Sequence, residues 1–264
     1  MDQLKQHQQA TWATGDFSKV GATQILPGEL LCEFLPVYAG DRVLDVAAGS
    51  GNAALAAARR GCEVKAVDFV EALLERGRER AAAERLHVDF QFGETEELPF
   101  PDASFDVVLS TFGSMFAPNP ARAAAEMARV CRSGGKIGMT AWTPDGLIGQ
   151  TFALNAKYAP LPAGIEPPAL WGVEEKARER FAPYTKEIRT ERQRARFRGK
   201  SPEQWLEFMK KWFGPTIRTF EQLTPEKQEW LADDLIALMR SRNMADNGTL
   251  LAEAEYLQIC VTRA

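Results

Sequence analysis

Two aspartates and the glycine-rich turn between them are the residues of this chain best placed to do chemistry. The segment RVLDVAAGSGNAALAAARRG, beginning at Arg42, reads as an apolar strand, a turn over Ala47-Ala48-Gly49-Ser50-Gly51, and an alanine-rich helix. Gly49 and Gly51 have no Cβ, so the backbone there can approach a ligand to contact distance. Asp45 lies inside the strand just ahead of the turn, where a carboxylate is costly to bury unless a cationic or donor-rich group faces it. Asp68 ends the next apolar run, roughly 20 residues beyond the glycines, where an acidic side chain accepts hydrogen bonds from both hydroxyls of a ribose. That pattern fits an adenosine cofactor without a 2′-phosphate. Gly49, Gly51 and Ala54 also satisfy the dinucleotide fingerprint, so the turn alone does not separate NAD from other adenosine ligands.

The elements that must hold these residues are legible around them. From Arg42 to about Trp142, short β-branched runs alternate with alanine-rich runs of helical period, the signature of βαβ units around a parallel sheet. Strands are expected over Arg42 to Ala47, Glu63 to Asp68, Val88 to Phe92, Phe105 to Thr111 and Lys136 to Trp142. Crossover helices are expected over Asn52 to Arg60, Val70 to Glu84 and Pro120 to Cys131, the last with Asn119 as N-cap, Pro120 at the first helical position and Gly134 beyond its end. Beyond Trp142 the alternation stops. A proline-rich stretch, LPAGIEPPALWG, leads to a polar strand from Glu187 to Phe197. Two helices starting at Ser201-Pro202 and Thr224-Pro225 follow, then a final strand from Tyr256 to Thr262. Two late strands joined through helices predict that the sheet ends in an antiparallel pair.

The segment GETEELPFPDASFDVVLSTFG adds a third feature. Gly93, Glu94, Thr95 and Glu96 close the third strand, and Ser110, Thr111 and Phe112 close the fourth, so both end at the carboxyl edge where open α/β sheets bind ligands. With these residues in place the chain resembles a class I methyltransferase, similar to the small-molecule branch that includes the ubiquinone and menaquinone biosynthesis enzymes. The resemblance is strong over Arg42 to Trp142. It implies an α/β, Rossmann-like three-layer sandwich with a mostly parallel seven-stranded sheet, an antiparallel C-terminal strand and helical lid insertions.

The same resemblance implies S-adenosylmethionine as cofactor, S-adenosylhomocysteine as product, and no metal. Asp45 to Asn52 would be the first cofactor motif, with Ala47, Gly49, Ser50, Gly51 and Asn52 along the methionine part of the ligand. Asp68 would hold the ribose and Phe69 would lie against the adenine. Glu94 would face the adenine amino group, Thr95 would meet the ring through its backbone, and Ser110 to Phe112 would floor the pocket. Ala47 stands where a first glycine is usual and Glu94 where aspartate is usual, which bears on adenine placement more than on ribose placement.

One domain is expected overall. Residues 1–36 form an N-terminal helical cover interrupted at Thr14-Gly15-Asp16; 37–145 form the cofactor-binding core; 146–186 and 199–250 are helical additions on the substrate side; and 187–198 and 254–264 supply the last strands. Trp12, Phe17, Met115, Trp142 and Trp171 are the expected lid or substrate-side residues. The aromatics Trp205, Phe208, Trp212 and Phe213 recur at helical spacing and read by default as a stripe packed on the core, with lining of an acceptor pocket by some of them as the alternative. Arg192, Arg194, Arg196, Arg198 and Lys200 alternate along one strand and read as a solvated face of an outer strand. Asp106 reads as a strand entrance without chemistry.

Composition bounds the remaining classes. The chain has 264 residues, 45% of them hydrophobic, enough for a substantial core. A net charge of −4, without a concentrated basic patch, disfavours nucleic acid as partner. No apolar run reaches the roughly 20 residues of a membrane span, and the polar start lacks the apolar core of a signal peptide, so a soluble, cytoplasmic protein is expected. Cys32, Cys62, Cys131 and Cys260 are widely spaced and read as reduced and non-catalytic. With two histidines in the chain, a histidine metal site is disfavoured; His87 reads as structural and His7 is the one candidate general base.

The leading expectation is methyl transfer to a small, apolar or aromatic acceptor by in-line displacement, driven by proximity and orientation. A nicotinamide-dependent oxidoreductase is the first alternative, although Asp45 and the antiparallel ending are then unexplained and no Tyr-x-x-x-Lys relay is evident. A protein that binds S-adenosylmethionine without turnover is the second. A nucleic-acid methyltransferase is the third, against which the fourth strand ends Ser110-Thr111-Phe112-Gly113 rather than in an Asn or Asp followed by Pro-Pro-aromatic.

Overall fold

A computed structural model describes residues 3–264; the first two residues of the expected cover lie outside it. In chain order the elements are α1 (Gln3–Trp12), α2 (Phe17–Gly21), α3 (Ile25–Phe34), β1 (Arg42–Val46), α4 (Asn52–Arg59), β2 (Glu63–Asp68), α5 (Glu71–Glu84), β3 (Val88–Phe92), β4 (Phe105–Thr111), α6 (Pro120–Val130), β5 (Cys131–Trp142), α7 (Leu147–Tyr158), α8 (Glu174–Phe181), β6 (Thr185–Gly199), α9 (Pro202–Trp212), α10 (Gly214–Glu221), α11 (Pro225–Ser241) and β7 (Leu250–Arg263).

The seven strands form one sheet in the order β3-β2-β1-β4-β5-β7-β6. β1 to β5 run parallel, and β7 is antiparallel to both β5 and β6. Strand order therefore reverses between β1 and β4, which opens a crevice at their carboxyl ends. Helices cover both faces. On one side Leu31 and Leu35 from α3 and its exit, Ala53 to Ala57 of α4 and Leu74 of α5 pack on the sheet; on the other, Met127 of α6, Phe181 of α8, Trp205 of α9 and Leu231 of α11 do so. The alanine run explains the close approach of α4: Ala53 to Ala57 are all buried, and larger side chains would hold that helix off the strands.

Local signals set the helix starts. The side chains of Asn119, Ser201 and Thr224 accept from the backbone N–H groups of Arg122, Gln204 and Lys227, each with proline in the first turn. Three differences from the sequence reading have physical reasons. β5 starts at Cys131 rather than Lys136, because Cys131 pairs with Phe105 across an irregularity in β4. β7 starts at Leu250 rather than Tyr256, since its pairing with β6 continues to Leu250 opposite Gly199. Three helices, not two, separate β6 from β7. The chain turns at Phe213-Gly214, where a Cβ on Gly214 would sit 2.0 Å from the Thr11 carbonyl oxygen, so only glycine lets this turn meet α1.

Asp106, at the opposite edge from the crevice, accepts from the Arg42 backbone and guanidinium and from Arg132. The Arg42 hydrogen bond foremost holds its carboxyl well below the usual range. Arg192 pairs with Glu255, and Arg194 and Arg196 pair with Glu253, so carboxylates of β7 answer the outer arginines. All four cysteines are buried and free, and burial pushes the thiols of Cys32 and Cys131 up to about 12. No described helix is long and apolar enough to cross a membrane.

Candidate active site

The crevice between β1 and β4 is built from two chain reversals pressed together. Ala47 and Phe112 both hold left-handed backbone, with φ of 53° and 58°, as do Gly49 and Gly51 with 55° and 83°. Non-glycine residues adopt that region only where their surroundings force it. Here the cause is visible: a Cβ on Gly113 would lie 2.3 Å from the Ala47 carbonyl oxygen, so the end of β4 rests directly on the end of β1. Ser110 secures the contact by donating to the Val46 carbonyl at 2.8 Å and pairing with the Ser114 hydroxyl at 2.7 Å.

The two aspartates hold the glycine turn from beneath. Asp68 accepts from the backbone N–H of Gly49 at 2.8 Å and of Val70 at 2.9 Å. Burial, opposed by these bonds, pushes its carboxyl up to about 6. Asp45 accepts from the Ala54 N–H through Oδ2 at 2.8 Å. Its Oδ1 is buried without a partner, and burial foremost, with the Asp68 charge adding, pushes the carboxyl up to about 7. An unpartnered, fully buried carboxylate oxygen on a cavity wall calls for a donor from a ligand.

Side chains without a local sequence signal complete the wall. Arg80 of α5 donates to the Ser50 carbonyl at 2.7 Å and to Asn52 Oδ1 at 2.8 Å, fixing the turn from behind. Asn52 donates to the carbonyls of Gly21 and Gln24, which ties the turn to the N-terminal helices. α1 lies across the carboxyl edge: Lys5 Nζ pairs with Glu94 at 2.8 Å and Glu96 at 2.7 Å, while Gln8 and Gln9 donate to the carbonyls of Phe116 and Phe69. α1 buries no residue fully, and these polar contacts together with the rings around Trp12 hold it there.

A single cavity runs from the glycine turn into an aromatic chamber. Asp45, Ala47, Gly49, Ser50, Asn52 and Asp68 line its first half, together with Phe69, Gly93, Glu94, Thr95, Thr111 and Phe112. Trp12, Phe17 and Trp142 line the second half, as do Phe116, Phe152, Phe197, Trp205, Met209 and Phe213, which the sequence reading had not placed in a site or had read as core. Phe112 stacks on Trp142 with ring centroids 3.9 Å apart, and Trp12 meets Phe17, Phe116 and Phe213 edge-on.

Other expected site residues do not line this cavity. Gly51 faces Phe90, which a Cβ would approach to 3.0 Å. Ser110 is spent on the β1–β4 contact. Glu96 is turned to Lys5 and to the Asn119 N–H. Met115 is buried in the core, and Trp171 is covered by Phe181 and by the Arg180 guanidinium 4.4 Å from its ring. His7 is on α1 and does not line the cavity either.

Such a sheet, with a glycine turn at its reversal point and acidic residues near the ends of β1 and β2, is a Rossmann-like α/β architecture. Comparison with known proteins gives the class. Residues 44–139 match the family described as Methyltransferase domain. The chain is 39% identical over 234 residues to the uncharacterized protein Rv1403c of Mycobacterium tuberculosis, covering 87% of this chain and 85% of that one. It is 39% identical over 121 residues to a demethylmenaquinone methyltransferase of Deinococcus radiodurans, covering 44% of this chain and 50% of that one. Among solved structures, the YcgJ protein of Bacillus subtilis superposes with a TM-score of 0.63 at 18% identity over 90% of this chain and 98% of that one. The chain belongs to the class I S-adenosylmethionine-dependent methyltransferases.

Proposed function

We propose that the glycine-turn half of the cavity holds S-adenosylmethionine and that the aromatic half takes a small, apolar or aromatic acceptor for in-line methylation. The unpartnered Oδ1 of Asp45 carries this reading. It is a buried acceptor placed for the amino group of an amino-acid-bearing ligand, on the same wall as the Gly49 turn. Asp68 takes the ribose hydroxyls, Phe69 lies on the adenine, and Glu94 and Thr95 meet its polar edge. When bound, the cofactor supplies a methyl group on a cationic sulfur already activated for displacement. The protein's part is to hold the acceptor in line and exclude water, and positioning of this kind contributes roughly 7–11 kcal/mol to lowering a barrier. Trp12, Phe17, Phe116 and Phe213 form one cluster of rings on the chamber wall and Trp142 and Phe197 another, with Trp205 also lining it. The test is a panel of aromatic acceptors with radiolabelled cofactor; labelling of charged aliphatic acceptors alone would contradict the reading.

Two outcomes follow at this site. His7→Ala is expected to leave turnover unchanged at every pH, because His7 does not line the cavity; a lost limb in the pH profile would restore it as a base. The second concerns protons. Asp45 and Asp68, pushed up to about 7 and about 6 by burial, are both above their unfolded values. The ligand-free protein thus loses stability through them as pH rises from about 4 to 7, since the unfolded chain gives up those protons first. Ligand donors favour the ionised forms, so binding releases protons. Affinity for S-adenosylmethionine is expected to fall about tenfold from pH 8 to pH 6. Titrations in buffers of different ionisation enthalpy measure the release; a buffer-independent heat at pH 6.5 would contradict it.

A further inference from the structure

The aromatic half of the cavity is lined, among the described residues, by no titratable side chain. The charged groups on the cavity wall are Lys5, Asp45, Asp68 and Glu94, and all belong to the glycine-turn half, where Lys5 is paired with Glu94 and Glu96. Of the charged groups on the elements packed around the chamber, Asp16 pairs with Arg76, Lys157 with Asp234, Arg196 with Glu253 and Lys210 with Glu207, Lys211 lies over the Trp212 ring, and neither these nor Lys19 and Arg198 line the chamber. The Tyr256 hydroxyl, buried without a partner, belongs to a ring packed behind Phe112 and Trp142 rather than to the chamber wall. Thr111, beside Phe112 at the end of β4 where the two halves meet, has a buried hydroxyl without a partner, a neutral group able to donate one hydrogen bond.

We propose that the acceptor occupies this chamber as a flat, otherwise apolar ring whose nucleophilic oxygen is already ionised, with the cofactor's cationic sulfur as its only counter-charge. The inference rests on S-adenosylmethionine filling the glycine-turn half. A hydroxyl of ordinary acidity needs a base to take its proton, and the chamber wall offers none. An ammonium acceptor brings a second cation against the first. Ring faces attract cations, but by less than two like charges in contact repel at a protein-like dielectric. An acceptor with a carboxylate or phosphate inside the chamber leaves that charge buried and unanswered. A ring hydroxyl acidified by a conjugated electron-withdrawing group meets every condition. It loses its proton to water before it enters, so the chamber needs no base, and inside it a cation faces the anion, with the Thr111 hydroxyl free to donate to it.

The experiment uses 4-nitrophenol, whose absorbance reports its ionisation, and tryptophan fluorescence to report its binding beside Trp12, Trp142 and Trp205. The full-length protein is loaded either with an unreactive S-adenosylmethionine analogue carrying a cationic amine in place of the methylsulfonium, or with uncharged S-adenosylhomocysteine. Loading is followed separately by calorimetry. The expected result is that bound 4-nitrophenol ionises at least one pH unit below the free probe with the cationic analogue, and above the free probe with S-adenosylhomocysteine. Its phenolate should bind at least tenfold tighter to the first complex. Equal ionisation in the two complexes would overturn the proposal, since a side chain would then set the charge. Tighter binding of benzyltrimethylammonium than of 4-nitrophenol would overturn it too. Failure of either nucleoside to load overturns the cofactor assignment as well, and the calorimetric record separates that case from a failure of the acceptor proposal alone.

Discussion

Asp68→Ala is expected to weaken S-adenosylmethionine binding about a hundredfold while leaving the protein folded. A hydrogen bond to a charged group contributes about 1.5–3 kcal/mol, and in the proposed function the carboxylate accepts from the ribose while also holding the Gly49 N–H at 2.8 Å. Every 1.4 kcal/mol is tenfold in affinity, so losing one or two such bonds gives the stated range. The stability change is small by cancellation. Two backbone N–H groups, of Gly49 and Val70, lose their acceptor, but a carboxyl whose ionised form is disfavoured by burial is removed with them. Asp68→Asn keeps one acceptor oxygen and should fall between the two. Calorimetric titration and thermal melts read the two quantities separately, and an unchanged affinity in the alanine variant would remove Asp68 from the ribose.

Gly113→Ala is expected to cost both stability and binding. The new Cβ would lie 2.3 Å from the Ala47 carbonyl oxygen and 2.7 Å from the Ala47 Cβ. Neither neighbour is the far end of a flexible chain, so the ends of β1 and β4 must separate. Overpacking of this kind costs about 1–3 kcal/mol, occasionally more. At roughly 2–4 °C per kcal/mol for a protein somewhat smaller than this one, the melting temperature should drop by about 5–10 °C. Because Ala47 begins the glycine turn, S-adenosylmethionine affinity should fall at least tenfold as well. An equal loss of stability without loss of affinity, measured by the same two methods, would show that the contact is structural and separate from the ligand site.

The glycine-turn half of this cavity was legible in the sequence because its parts are local. A strand, a glycine turn and a helix with Asp45 inside them occupy one continuous segment, and Asp68 ends the next strand. The helix starts at Asn119, Ser201 and Thr224 were legible for the same reason: a cap and a proline are adjacent in sequence. The chamber was legible only in Trp12, Phe17 and Trp142. Its walls come from α1, α2, α7, α9, β5, β6, the turn after β4 and the turn between α9 and α10, and Phe152 or Phe197 has no neighbour in sequence to mark it as a wall rather than core. Trp205 and Phe213 read as a packed stripe, and their helical spacing cannot tell a core contact from a cavity contact. The split between α9 and α10 was hidden because its cause, the Thr11 carbonyl against Gly214, is far away in sequence. Arg80 reads as one more charge on an exposed helix until its contact with Ser50 is seen. The early start of β7 was hidden by composition: in Ala252-Glu253-Ala254-Glu255 the alternation is present, but alanine and glutamate are poor strand formers.

Whether this cavity is built for S-adenosylmethionine is decided by calorimetric titration of the purified protein with S-adenosylmethionine, S-adenosylhomocysteine and NAD. The structure predicts saturable, one-to-one binding of the first two, weaker at pH 6 than at pH 8, and no heat from NAD. Binding of NAD with no response to either sulfur nucleoside would contradict it.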